Sequence, residues 1–169
     1  MRPAHLPFEV KFTNPSGWVG LSHVFGAQKH LQARWRNSLP FLTPTLVESF
    51  SGSRASASVN NPSPVFYVHA TESASLYPTF APEMIQLLRL KVKSDRRELA
   101  VSKGMTIFTF ATVPPSSLFV PLAARRLSPT LIEVKPRHPL PPGQYLITIG
   151  AQEYDGFDFE IECGHVTKL

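Results

Sequence analysis

Leu131-Ile132-Glu133-Val134 and Tyr145-Leu146-Ile147-Thr148-Ile149 are strand-like runs separated by Leu140-Pro141-Pro142-Gly143-Gln144, and the reading of this stretch decides the fold class. Pro-Pro-Gly punctuates the chain between them, because proline fixes φ and glycine accepts conformations closed to other residues. After the break, Tyr145, Ile147 and Ile149 share one face, since side chains alternate along a strand. Glu153 to Gly156 then supplies turn chemistry, and Phe157, Phe159 and Ile161 alternate with Asp158, Glu160 and Glu162. A slip of one residue would bury three carboxylates and expose two phenylalanines, so the register is strongly specified. The expectation is a hairpin with an apolar inner face and an acidic, solvated outer face.

The same alternation recurs upstream. Phe8, Val10 and Phe12 alternate with Glu9 and Lys11; Asn14-Pro15-Ser16-Gly17 is a turn cluster; residues 18–25 read as a second strand. Val65-Phe66-Tyr67-Val68-His69 is a compact β-rich run. Leu88, Leu90 and Val92 alternate with Arg89, Lys91 and Lys93, which predicts one buried and one basic face, and Ser94-Asp95-Arg96 turns the chain back through residues 98–101. Residues 106–113 and 118–122 add strands, with Pro121 suited to an edge. Residues 28–35 are the one stretch with helical character. Residues 37–64 read as a long connection with a short strand near Leu46-Val47. Short strands separated by turn signals predict an all-β, antiparallel sandwich. The predicted organisation is an extension or added strands over 1–49, the sandwich over 50–163 and a tail over 164–169.

Composition agrees. Seventeen prolines and nine glycines in 169 residues interrupt the chain too often for a helical bundle. Charged residues make up 17%, below the ~25% usual for soluble proteins, while 43% hydrophobic residues are ample for a core. The single cysteine, Cys163, excludes an intrachain disulfide and reads as a small packed or half-exposed residue. The net charge of +5 permits contact with anionic polymers without specifying one. Met1 to Phe8 lacks the apolar core of a secretory signal, and no run approaches the ~20 apolar residues of a helical span, so the default expectation is a soluble cytoplasmic chain.

Leu140, Pro142, Gly143 and Tyr145 form a Leu-x-Pro-Gly-x-Tyr pattern that resembles the tyrosine corner of immunoglobulin-like β-sandwiches. The resemblance implies that the Tyr145 hydroxyl bonds to backbone a few residues upstream, with Leu140 and Gly143 completing a structural corner. A wider resemblance runs over residues 51–162. Ser51-Gly52-Ser53-Arg54, Pro64-Val65-Phe66-Tyr67-Val68, Leu88-x-Leu90-Lys91, Asp95-Arg96-Arg97-Glu98, the corner itself and Tyr154-Asp155-Gly156-Phe157-Asp158-Phe159 together resemble a group of bacterial proteins from acidobacteria-like genomes. These are generally exported and have no assigned activity. Gln144 stands where that group usually has glutamate. The resemblance implies fold and export; it supplies no active site.

Motifs for chemistry are missing from the sequence. Ser51-Gly52-Ser53 lacks the strand–helix context of a nucleophile elbow, and there is neither a Walker loop nor a Gly-x-Gly-x-x-Gly stretch. His5, His23, His30, His69, His138 and His165 are scattered, with no zinc-ligand spacing. Tyr67 and His69 share a strand face and read as a surface tyrosine beside an exposed histidine. Glu153, Asp155 and Asp158 do not match an EF-hand loop. Arg89, Lys91, Lys93, Arg96 and Arg97 form a candidate anion-binding patch. Were the 89–93 strand beside 158–162, the basic and acidic faces would complement each other. Trp18, Phe25 and Trp35 are candidate interface aromatics.

The expected function is a non-enzymatic module, without cofactor or metal, that serves a structural or protein-interaction role. Self-assembly through the N-terminal residues would be its route. The alternative is a basic module for an anionic polymer, with nucleic acid disfavoured because no RNP1-like signature accompanies the charge.

Overall fold

The computed structural model describes residues 8–25, 28–32, 45–71, 80–101, 114–150 and 156–162. Trp35, Cys163, Glu153, Asp155 and the run 106–113 lie outside them. In chain order the strands are β1 (Phe8–Asn14), β2 (Gly17–Gly20), β3 (His23–Val24), β4 (Gln28–Gln32), β5 (Thr45–Ser51), β6 (Ser58–Val59) and β7 (Phe66–Ala70). There follow β8 (Ile85–Val92), β9 (Arg96–Ala100), β10 (Phe119–Val120), β11 (Leu122–Ser128), β12 (Leu131–Pro136), β13 (Gly143–Ile149) and β14 (Gly156–Ile161). Two single-turn 3-10 helices, Pro82–Met84 and Ser116–Leu118, precede β8 and β10.

The small sheet runs β11-β12-β7-β1-β2. The large one runs β3-β14-β13-β8-β9-β5-β4, with β10 beside β8 and β6 beside β14. Every pairing is antiparallel except β6 with β14. The predicted all-β, antiparallel class is therefore what the chain adopts, and two facing sheets fit a β-sandwich. Inward residues of both sheets merge in one core: Val10, Phe12, Phe66, Val68, Ile132 and Val134 from the small sheet meet Leu87, Tyr145, Ile147, Phe157 and Phe159 from the large one. Phe66 and Phe159 touch across the layers with ring centroids 4.7 Å apart. The β1–β2 hairpin closes as the turn cluster predicts, with Asn14 Oδ1 accepting from Ser16 N at 2.9 Å and Gly17 at φ +120°. β1 sits between β7 and β2, and its phenylalanines lie in the core.

Several expectations are corrected. Gln28–Gln32 is a strand paired antiparallel with β5, not a helix. The single strand expected over 18–25 is two strands in different sheets, β2 and β3, parted at Leu21 and Ser22. The strand expected over 118–122 is two, β10 and β11, parted at Pro121, and β11 runs on to Ser128 where no strand was expected.

The largest correction concerns the outer face of the large sheet. β9 and β5 curl over β8 and β13, so Phe50 and Leu99 pack on Leu88, Leu90 and Leu146 in a second core. Ile85 and Leu87 face the first core while Leu88 and Leu90 face the second, so β8 is buried on both faces instead of apolar on one and basic on the other. Val92, expected inside, is 49% exposed.

Candidate functional site

Curling of the sheet converts the expected acidic outer face into a covered polar layer. Asp158 is 1% exposed and Arg97 3% exposed. Two strands lie between β14 and β9 in the sheet, yet the Arg97 guanidinium donates through Nη1 to Asp158 Oδ2. Its Nη2 reaches the Ser51 carbonyl at 2.9 Å and its Nε the Gly52 carbonyl at 3.1 Å. One side chain therefore fastens the end of β5 to the back of β14. The Ser51–Arg54 turn is fixed at two further points. Gln144 Oε1 accepts from Ala55 N at 2.8 Å, and Arg54 reaches Glu160 at 2.7 Å and Glu162 at 3.2 Å. Those carboxylates hold the Arg54 guanidinium above its ordinary pKa. Asp158 Oδ1 and Thr148 Oγ1 on the same face have no hydrogen-bond partner among the described residues. The polar set reads as structural. It offers no nucleophile with a base beside it, and no group of metal-ligating side chains occurs among the described residues.

The candidate anion patch is dispersed. Arg97 is internal and cannot meet a solution anion. Arg96 turns to Glu98 at 2.9 Å and Asp95 at 3.1 Å, and the bond to Glu98 raises its pKa. Arg89 leans on the Pro142 carbonyl at 3.4 Å, leaving it, Lys91 and Lys93 as the outward cations of the set. The acidic strand finds its cations in Arg97 and Arg54, and not in the 89–93 strand, because β13 lies between β8 and β14. The structural corner behaves as its pattern predicts: Tyr145 is buried and its hydroxyl donates to the Pro141 carbonyl at 2.7 Å, while Leu140 is buried and its N–H meets the Pro62 carbonyl.

Two unlike edges remain. At one, the chain steps from β2 in the small sheet to β3 in the large sheet, and Leu21 closes the gap between the layers from a buried position, its N–H bonded to the Val10 carbonyl at 2.8 Å. Beside that step stand two exposed aromatics, Trp18 at 62% and Phe25 at 65%. Trp18 packs edge-on against Tyr67 on the outer face of the small sheet, with His69 exposed nearby on the same strand. Phe25 packs edge-on against His23, whose ring meets Phe157 of the core. An aromatic line thus runs from the interior to the surface.

At the opposite edge the chain steps back through Pro121, from β10 in the large sheet to β11 in the small one. Among the described residues, none there plays the part of Leu21. An open cleft of about 410 Å³ lies there, its lining mixing apolar side chains such as Ile85, Leu87 and Phe119 with polar surface from Glu83, Gln86 and Arg137. Arg137 Nε is bound to the Leu122 carbonyl at 3.0 Å. Leu122 and Ala124 share the inward register of β11 with Pro136 and Val134 opposite, yet Ala124 is exposed. Sequence reading missed this cleft, since LAARRLS has no alternation to reveal an inner face. Comparison of the chain with known protein families, curated proteins and solved structures finds no match.

Proposed function

We propose that this chain is a non-enzymatic, immunoglobulin-like β-sandwich module that acts through protein–protein contact, in an assembly of the kind exported bacterial proteins form. The observation that carries this reading is the aromatic edge: Trp18 and Phe25, both more than half exposed, flank a short step between two sheet edges. Large aromatics are rare on free surfaces and dominate the energetics of interfaces. The Tyr145 hydroxyl bond to Pro141 supports the immunoglobulin-like part of the reading. Contact through this edge takes the place of an exchanged N-terminal arm, because β1 is already committed to the core of its own chain.

Sedimentation of the full chain over a range of concentrations, beside Trp18→Ser and Phe25→Ser, tests the proposal. Association in the parent that is lost in the serine variants supports it. Concentration-independent monomer, together with heparin or DNA binding that falls steeply with salt, would instead favour the anionic-polymer reading through Arg89, Lys91 and Lys93.

A further inference from the structure

We draw no further inference here: the strongest candidate, the outer face of the small sheet where the exposed Trp18 packs edge-on against Tyr67 beside Lys11 and His69, carries nothing, because nothing in the structure shows what covers it.

Discussion

Removing Arg97 leaves the Asp158 carboxylate buried with neither oxygen satisfied, since Oδ2 loses its guanidinium and Oδ1 has no partner among the described residues. Arg97→Met also removes the bonds to the Ser51 and Gly52 carbonyls. Breaking a buried pair from one side costs ~3–5 kcal/mol, mostly the desolvation of the charge left behind. With a urea dependence of ~2 kcal/mol per molar, the midpoint should fall by roughly 1.5–2.5 M. Asp158→Leu strands the opposite charge, though two carbonyls still solvate it, so its loss should be the smaller of the two. The double variant Arg97→Met, Asp158→Leu removes both charges from a site bordered by Leu146 and Leu99, and should recover most of the loss, because buried ion pairs contribute little net stability over an apolar replacement. Urea titrations followed by circular dichroism on all four proteins give the coupling directly. Single variants that lose less than ~0.5 M, or losses that simply add in the double variant, would refute the reasoning.

Other outcomes follow from the same geometry. Tyr145→Phe deletes the bond to the Pro141 carbonyl and should cost ~1 kcal/mol, with little further penalty because Pro141 is exposed and its carbonyl can turn to water. Burial, opposed by the nearby Arg89 charge, raises the Tyr145 hydroxyl above the ordinary value of 10.0, so the parent's stability holds below that pH and falls as pH rises through the higher folded value; melts between pH 9 and 12 should show this slope in the parent and lose it in Tyr145→Phe. Gly156→Ala would drive a Cβ into the Ile147 carbonyl of the adjacent strand and should cost at least ~1–3 kcal/mol, read from the urea midpoint. Deletion of residues 1–49 removes β1, bares the edge of β7 and takes Phe8, Val10 and Phe12 from the core; loss of cooperative unfolding is expected, and a folded, cooperative fragment would contradict the integral role of β1.

What could be read from the sequence was what one buried face dictates. β1, β7 and the β13–β14 hairpin each alternate, and their registers set Phe12 and Phe66, Tyr145 and Phe159 in the shared core. Alternation falls silent where a strand is buried on both sides or on neither. Leu87-Leu88 and Leu146-Ile147-Thr148-Ile149 are unbroken runs of the kind carried by strands covered on both faces, and they were the available signal that a second layer lay behind β8 and β13. Asp158, flanked by phenylalanines, has the same period as a solvated carboxylate. Only the distant Arg97, 61 residues away in sequence, makes it internal. β11 failed for the opposite reason: one side faces solvent and the other an open cleft, so neither face selects apolar residues.

The way each edge of the small sheet is protected completes the argument. Exposed strand edges invite pairing, and proteins blunt them with short strands, bulges and charge. β11 carries two arginines, Arg125 at its midpoint and Arg126 beside it, and a register shift between Arg126 and Ser128. Its first half, Leu122 to Ala124, is uncharged and borders the cleft. β2 is blunted by length alone, at four residues, and carries an exposed tryptophan where a protected edge would carry a lysine. Among the described residues, the small sheet is therefore least protected along β2 and along Leu122 to Ala124, at its opposite ends. Charge on its edges is, among the described residues, confined to Arg125 and Arg126 of β11, and β2 relies on its shortness.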